Sequence, residues 1–212
     1  MWIHSFAKAM AWMAAMAISV ALGAGQSADR LTLPQEVRLN ERQPPEFVLK
    51  TIGIQSGMII GEIGAGRGRY TVQIASRIAP EGRLYANDID RDSLEFLRRR
   101  CAGLGLKNVE IVTGTVTETG LPVKALDLVV MVNVVHCLAD PVALLKNAGT
   151  SLKPEGQMAV VEGNLDKDPS AAGEWLSRAK LMGIFEAAGF SLVREDASLP
   201  KDNIYLFQKR TK

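Results

Sequence analysis

The chain has 212 residues, which is long enough for a domain with a substantial core. Its 25 basic and 23 acidic residues nearly cancel, so the composition gives no indication of a polyanionic partner such as nucleic acid. The two cysteines, Cys101 and Cys137, lack the CxxC or Cys/His spacing of a metal site, and we expect two free thiols.

The first 28 residues have the order of a secretory signal. Residues 1–8 carry one lysine and no acid, residues 9–25 are uncharged and mostly apolar, and small residues follow. This order is typical of a signal peptide, with cleavage near Gly25 or Ala28. The apolar run is short for a membrane-spanning helix, which needs about 20 residues, but an uncleaved N-terminal anchor also fits. A buried core helix fits poorly, because the run has no polar face.

The sequence therefore predicts a signal peptide or N-terminal anchor at residues 1–28 and one domain at residues 29–212. Residues 29–56 are a lead-in segment and residues 57–212 the core of that domain. Within the lead-in, Pro45 is expected to open a short helix, because the first helical turn tolerates proline. If the N-terminal segment is cleaved, we expect a periplasmic or secreted protein. If it is retained, we expect the chain to be anchored in the inner membrane.

A strand followed by glycines at every second position is the most informative stretch. Residues 59–63 are rich in isoleucine, which favours a strand covered on both faces. Gly64, Gly66 and Gly68 follow, and glycine can take a positive φ and admit a ligand close to the main chain. The next helix, which Pro80 ends, points its free N–H groups at that ligand. The stretch therefore predicts a site for a nucleotide-like or nucleoside-like ligand.

The glycine spacing separates two ligand classes. A dinucleotide fingerprint has the form G-x-G-x-x-G, and counted from Gly64 its last glycine falls on Arg69. The second strand, residues 83–87, is followed by acids at Asp88 and Asp90. An acid at a strand end about 20 residues past the glycines can accept hydrogen bonds from two vicinal ribose hydroxyls. The pattern thus favours a ribose-containing ligand but fits a nicotinamide dinucleotide poorly.

The middle of the chain alternates helical and strand patterns. Asp92 or Ser93 is expected to cap the next helix, and Gly105 to end it. A third strand is predicted over residues 109–113. The fourth strand, residues 126–133, is nearly all apolar and is therefore predicted to lie at the centre of the sheet.

The chain continues with a helix that Asp140 caps. Residues 152–156 predict a helix stop and a turn before the fifth strand, residues 157–162. Two further strands, residues 190–193 and 204–207, close the chain.

The last long helix is predicted over residues 170–188. Trp175, Ala179 and Met182 recur at helical spacing on one of its faces, so we expect that face to belong to the core. Gly189 follows the last helical residue and is expected to end the helix.

In their order and spacing, these motifs resemble those of class I S-adenosylmethionine-dependent methyltransferases. The likeness covers about residues 57–208 and rests on the E-x-G-x-G-x-G turn, the acid Asp88, the Gly-Thr turn at Thr115 and the strand end at Asn133. A Lys-Pro turn and a terminal strand pair complete the pattern. The resemblance implies a Rossmann-like α/β fold with a seven-stranded, mostly parallel sheet, a C-terminal antiparallel hairpin and helices on both faces. It also implies S-adenosyl-L-methionine as the cofactor.

The same resemblance implies a set of cofactor-binding residues: Glu62, Gly64, Ala65, Gly66, Asp88, Ile89, Thr115 and Asn133. In that family, Asp88 would hold the ribose and Ile89 would lie beside the adenine. Thr115 stands where the family usually carries an aspartate for the adenine amino group. Asn133 would face the transferred methyl group.

His136 is the candidate catalytic residue and is the only histidine beyond residue 28. Its unperturbed pKa suits proton transfer near neutrality, so it could act as a base. The alternative is that its ring packs in the turn with both nitrogens satisfied. A base is needed only if the methyl acceptor must lose a proton.

The implied reaction is direct transfer of the sulfonium methyl group to a nucleophile, with the protein mainly positioning the reactants. We expect a small-molecule acceptor, because no nucleic-acid-binding domain is added to the core; the fold itself does not give the substrate. Three alternatives stay open: a protein carboxyl methyltransferase, an NAD-dependent oxidoreductase, and a non-catalytic or decayed cofactor-binding protein of the same fold. An exported enzyme would need a cofactor source, because S-adenosylmethionine is made in the cytosol; an anchored chain facing the cytoplasm would not.

Overall fold

The computed structural model describes residues 31–210. The predicted signal peptide or anchor, residues 1–28, lies outside the described residues and stays a prediction. Over residues 31–210, no helix is both long and apolar enough to cross a membrane. The chain divides into a short unit that ends at Val37 and a larger unit that begins at Arg38.

In the short unit, Pro34–Glu36 forms a single 3-10 turn. The backbone N–H of Leu33 donates to Oε2 of Glu36 at 3.0 Å, which satisfies a donor at the start of this turn. All strands of the sheet, and with them the candidate site, belong to the larger unit.

The described residues form seven strands and six α-helices. The strands are β1 (Ile59–Ile63), β2 (Arg83–Asp88), β3 (Val109–Thr113), β4 (Leu126–Val132), β5 (Leu152–Gly163), β6 (Phe190–Asp196) and β7 (Asp202–Lys209). The helices are α1 (Val37–Arg42), α2 (Pro45–Thr51), α3 (Thr71–Ile78), α4 (Arg91–Leu104), α5 (Pro141–Ser151) and α6 (Arg178–Ala187). The helix expected to open at Pro45 is confirmed as α2.

The strands form one sheet in the order β3-β2-β1-β4-β5-β7-β6. The pairs among β1 to β5 are parallel, whereas β7 runs antiparallel to both β5 and β6. This confirms the predicted seven-stranded, mostly parallel sheet with an antiparallel C-terminal pair. The strand order reverses at β1, because the chain leaves β3 at one edge and returns as β4 on the other side. Ligands of such sheets bind outside the carboxyl ends of the strands at that point.

Helices cover both faces of the sheet, as predicted. Alternate residues of β4 face opposite ways: Met131 packs in a cluster with Leu145 of α5 and Phe185 of α6. Val130 packs in a second cluster with Leu49 of α2 and residues of α3. Since both faces of β4 are buried, its continuous apolar sequence is explained by its central position.

Two predicted starts differ by a few residues from the observed ones. Asp90 caps α4, because its carboxylate accepts the N–H of Asp92 at 3.1 Å and the hydroxyl of Ser93 at 2.6 Å. The prediction that Asp92 or Ser93 is the cap is therefore wrong. β5 begins already at Leu152, which pairs with Leu126, so the predicted turn over residues 152–156 is wrong as well. Those residues form an irregularity within the strand, where the register shifts.

The last helix is shorter than predicted, and the range 170–188 is wrong. Gly173 adopts φ 88°, which is outside the helical region and interrupts any helix through this segment. The helix begins only after Ser177, whose hydroxyl accepts the N–H of Lys180. A local capping residue thus overrides the helical spacing of the apolar side chains before it.

The predicted buried face of that helix is also wrong. Leu181 and Phe185 are the buried residues of α6. Ala179 is exposed, Met182 is half-buried, and Trp175 precedes the helix. The face that packs against the sheet is therefore the one with Leu181 and Phe185, and Ala179 lies on the exposed side of the helix.

Candidate active site

The three glycines after β1 all have positive φ, but they serve different purposes. A Cβ on Gly64 would lie 2.3 Å from Cγ2 of Val134, and one on Gly68 would lie 2.3 Å from Cδ1 of Leu97. These two positions are glycine because neighbouring side chains fill the space. A Cβ on Gly66 would meet nothing within 4 Å among the described residues. Gly66 is therefore the position at which a ligand can approach the backbone.

Asp88 ties the glycine turn to the end of β2. Its Oδ2 accepts the N–H of Gly66 at 2.7 Å, and its Oδ1 accepts the N–H of Asp90 at 2.9 Å. Each carboxylate oxygen can accept a second hydrogen bond, so both remain available to ribose hydroxyls. The side chain therefore stabilises the turn and can still bind a ligand beside it.

A cavity of about 310 Å³ lies at the carboxyl ends of β1 to β4. Its volume falls in the range of about 300–1,000 Å³ that is usual for small-molecule sites. Five of the predicted residues line it, in the order in which their strands lie in the sheet: Thr115 after β3, Asp88 and Ile89 at β2, Gly64 after β1 and Asn133 after β4. The rest of the wall is largely apolar, with Val116, Val134, Leu138 and Leu144.

Two of the other predicted residues lie in the layer beneath this cavity. Glu62 is buried on β1, and its Oε2 accepts the hydroxyl of Thr71 at 2.5 Å. Burial raises the pKa of Glu62 to about 7. Ala65 is buried against α4, and its N–H donates to the carbonyl of Asn87 at 2.9 Å. Both residues hold the glycine turn and α3 in place, and direct cofactor contacts of their side chains stay a prediction.

Thr115 lines the cavity and also closes the turn after β3. Its Oγ1 accepts the N–H of Glu118 at 3.0 Å. Its own N–H donates to the carbonyl of Glu118 at 2.7 Å. A hydroxyl that accepts a backbone hydrogen bond keeps its proton as a donor, so Thr115 can still contact a base from the cavity wall.

Asn133 lies directly after β4 in the left-handed region, at φ 56°. Asparagine adopts this conformation more readily than other residues with a Cβ. Its side-chain amide pairs with that of Gln43: Asn133 Nδ2 donates to Oε1 at 3.0 Å and Gln43 Nε2 donates to Oδ1 at 2.9 Å. Sequence reasoning missed Gln43, since a single glutamine in the lead-in segment gives no sign that it pairs with Asn133 after β4.

His136 is held by a buried carboxylate. Its Nδ1 lies 2.5 Å from Oε1 of Glu162, and the N–H of Val135 donates to Oε2 of the same group at 2.9 Å. The hydrogen bond to Glu162 raises the pKa of His136 above its ordinary value, although partial burial opposes this. In the neutral ring, the proton sits on Nδ1 beside the carboxylate, which leaves Nε2 as the proton acceptor.

Glu162 was not among the predicted site residues. The signal that could have identified it is an acid near the end of an otherwise apolar central strand, the pattern shared by Glu62 and Asp88. The structure thus brings five predicted residues into one cavity and pairs His136 with a carboxylate that the sequence analysis did not assign.

Known proteins are similar to this region of the chain. A family model described as a methyltransferase domain matches residues 62–158. That range contains every residue that lines the 310 Å³ cavity. A solved S-adenosylmethionine-dependent methyltransferase from Aquifex aeolicus is similar in structure, with a TM-score of 0.71 and 26% identity, over 77% of this chain and 88% of that one. Both comparisons support the predicted resemblance to class I S-adenosylmethionine-dependent methyltransferases.

Other proteins that resemble this chain are also named methyltransferases. A demethylmenaquinone methyltransferase from Listeria monocytogenes is 25% identical over 136 residues, which are 64% of this chain and 57% of that relative. The matched part thus spans little more than half the length of the relative. A TehB-like methyltransferase from Corynebacterium glutamicum has a TM-score of 0.63 at 16% identity, over 88% of this chain, and supports the fold alone.

The predicted cofactor, S-adenosylmethionine, is that of the family, and the residues present fit it. Gly66 offers open backbone to a ligand, and Asp88 offers carboxylate oxygens to ribose hydroxyls. Ile89 is 63% exposed at the cavity edge and can cover one face of an adenine. These three residues would therefore hold the cofactor in this chain.

Proposed function

We propose that this methyltransferase methylates a small-molecule acceptor that gives up a proton in the reaction. The observation that carries the proposal is the His136–Glu162 pair, whose ring nitrogen Nδ1 lies 2.5 Å from the carboxylate. A carboxylate in this position fixes the orientation of the ring and stabilises its charged form. Such a pair suits proton removal from a bound acceptor.

Bound S-adenosylmethionine supplies a methyl group on a positively charged sulfur, which a nucleophile can attack directly. The residues of this chain then have three tasks. Gly66 and Asp88 would hold the cofactor, Asn133 lines the cavity after β4, and His136, next to the lining residue Cys137, accepts the acceptor's proton at Nε2. Exclusion of water from this end depends on the apolar wall that includes Leu138 and Leu144.

The curated relatives suggest which acceptor to test first. Several of them are named demethylmenaquinone methyltransferase, and the similarity to them covers 54–64% of this chain. We therefore propose demethylmenaquinone, assayed as its hydroquinone, as the first substrate, because loss of a phenolic proton makes the ring carbon nucleophilic and the ring C–H proton leaves once the methyl group is attached. A protein carboxyl group is a weaker proposal, since a carboxylate needs no base to become a nucleophile.

We also propose that residues 1–28 direct the chain to the membrane, either as a cleaved signal or as an anchor that faces the cytoplasm. The order of basic, apolar and small residues supports this proposal. N-terminal sequencing of the protein from fractionated cells tests it. Recovery of the intact N-terminus in the soluble cytoplasmic fraction would contradict it.

The cofactor and the acceptor are tested in two steps. Calorimetric titration of the purified full chain with S-adenosylhomocysteine is expected to show saturable binding, with NAD as the negative control. Incubation with S-adenosylmethionine and demethylmenaquinone is then expected to add one methyl group, detected by mass spectrometry. Binding of NAD without S-adenosylhomocysteine would overturn the proposed function. Binding of S-adenosylhomocysteine without methylation of any acceptor that carries a removable proton would favour a non-catalytic binding protein.

A further inference from the structure

Gln43 is a fully buried polar residue in the segment between α1 and α2. Its Nε2 donates to Oδ1 of Asn133 at 2.9 Å and to Oδ1 of Asp202 at 2.8 Å. Its Oε1 accepts from Nδ2 of Asn133 at 3.0 Å and from Nη2 of Arg69 at 2.6 Å. The amide therefore uses both of its donors and both of its acceptor positions.

The backbone around Gln43 is fixed as well. The hydroxyl of Tyr70 donates to its carbonyl oxygen at 3.0 Å. Arg42, the preceding residue, donates to both carboxylate oxygens of Asp202, at 2.5 and 2.7 Å. Because Asp202 is itself fully buried, the two contacts hold residues 42 and 43 against the start of β7. Gln43 thus has little freedom to move away from Asn133.

The network meets the cavity at Asn133, and the strand order shows which end of the cavity this is. Asp88 and Ile89 come from β2 and Thr115 follows β3, so the ribose and base of a bound nucleoside lie toward that side. The remaining part of the ligand must extend the other way, past β1 toward β4. Gln43 contacts a residue at each of those two strands: Arg69, in the turn after β1, and Asn133, after β4.

We propose that Gln43 is the positioning residue for the amino-acid end of the cofactor, acting through Asn133 and Arg69. The inference rests on the proposed function, since it assigns a role in the same site. Asn133 has a left-handed backbone and a side chain that two hydrogen bonds to one amide hold in place. Loss of Gln43 releases that side chain into the cavity and leaves buried donors and acceptors without partners.

Two ligands distinguish positioning from general loss of structure. S-adenosylhomocysteine carries the amino-acid part, whereas 5′-methylthioadenosine lacks it and occupies only the side at Asp88 and Thr115. Calorimetry of the full-length Gln43→Ala variant is expected to show about tenfold or more weaker binding of S-adenosylhomocysteine. Binding of 5′-methylthioadenosine is expected to match that of the wild-type chain.

Glu46→Ala is the matched control. Glu46 lies in α2 of the same segment and pairs with Arg77 of α3 at 2.6 Å, but its side chain is 79% exposed. Exposed ion pairs contribute little to stability. This variant is therefore expected to bind both ligands as the wild-type chain does, although it too removes a contact between the segment and the core.

A charge exchange covers the case in which Gln43→Ala does not fold. Gln43→Glu removes the amide donors and places a second carboxylate beside Asp202, so it is expected to weaken S-adenosylhomocysteine binding. Adding Asp202→Asn restores a donor between the two groups and returns the original net charge. The double variant is expected to recover at least part of the lost affinity, with 5′-methylthioadenosine binding unchanged throughout.

The outcomes separate this inference from the proposed function. Wild-type affinity of Gln43→Ala for S-adenosylhomocysteine would overturn the inference alone. An equal loss for both ligands would also overturn it, because the residue would then act on the whole site. Failure of the wild-type chain to bind S-adenosylhomocysteine would overturn the proposed function and the inference with it.

Discussion

Carboxyl groups near the ends of three strands have different roles in this chain. Glu62 is buried and braces Thr71, Asp88 borders the cavity, and Glu162 holds the ring of His136. In the sequence, each is an acid near the end of an apolar run. Their roles differ because of what lies next to them in space, and so only Asp88 could be assigned from its distance to the glycines.

Removal of the Asp88 carboxylate tests the ribose assignment. Asp88→Ala is expected to weaken S-adenosylhomocysteine binding by about 1–3 kcal/mol, because ribose hydroxyls and the N–H of Gly66 lose their acceptor. Titration calorimetry measures the change. Asp92→Ala, an exposed acid in the first turn of α4, is the control and is expected to bind normally. Unchanged affinity in the Asp88 variant would place the ribose elsewhere.

The His136–Glu162 pair predicts a pH dependence. The hydrogen bond to Glu162 raises the pKa of His136, and a base must be neutral to accept a proton. The rate of methyl transfer is therefore expected to rise with pH through a value above the ordinary pKa of histidine. Glu162→Gln removes the charge that stabilises the imidazolium, so the same rise is expected at lower pH.

NMR titration of the imidazole protons checks this shift without an acceptor. The chain has two histidines, and the spectrum of His136→Asn identifies the signal that belongs to His136. The pKa of His136 is expected to fall in Glu162→Gln. If the pKa of His136 is the same in the wild-type chain and in Glu162→Gln, then Glu162 does not raise the pKa of His136.

At the scale of elements, local sequence patterns predicted the parallel strands well and the segment after β5 poorly. β1 and β4 are buried on both faces, and that burial requires the apolar runs that made them recognisable. Trp175 instead depends on distant residues: the guanidinium of Arg42 lies 4.2 Å from its ring centroid, and a Cβ on Gly163 would fall 2.4 Å from the ring. Helical spacing carries no information about such contacts.

The glycine turn offers a test at the same scale. Gly68 has φ 88° and leaves room for Leu97 of α4, so Gly68→Ala combines backbone strain with a steric clash. It is expected to destabilise the fold by about 1–3 kcal/mol in urea unfolding. Gly103→Ala lies within α4, where a Cβ meets nothing within 4 Å among the described residues. This control is expected to stabilise by about 0.5–1 kcal/mol, because alanine favours a helix. Equal stability of both variants would contradict the packing role of Gly68.

For the whole molecule, the resemblance of motifs predicted the sheet and its cofactor, but not how the segment before β1 joins the site. Gln43 lies 90 residues from Asn133 and 159 residues from Asp202 in the chain. No local pattern marks a hydrogen bond between residues so far apart. The hydrogen bonds of Gln43 form only because the fold brings residues after β4, the start of β7 and the lead-in segment together.

The contribution of the contact between Arg42 and Asp202 to the free energy of unfolding can be measured. Asp202 is fully buried at the start of β7, so Arg42→Ala leaves a carboxylate without its main counter-charge and uncovers the ring of Trp175. Removing one partner of a buried pair costs about 3–5 kcal/mol; the partial exposure of Arg42 places the expected loss near the lower end of that range.

Arg178→Ala is the matched control, because Arg178 also contacts a carboxylate, Glu195, through more than one nitrogen. Both side chains of that pair are partly exposed, so its loss is expected to cost about 1 kcal/mol or less. Urea unfolding of the two full-length variants measures the difference directly. A smaller loss for Arg42→Ala than for Arg178→Ala would mean that residues 38–51 are not held to the core through Asp202. The position of Gln43 would then depend on Asn133, Arg69 and Tyr70, and the charge exchange at Asp202 would be expected to have no effect on cofactor binding.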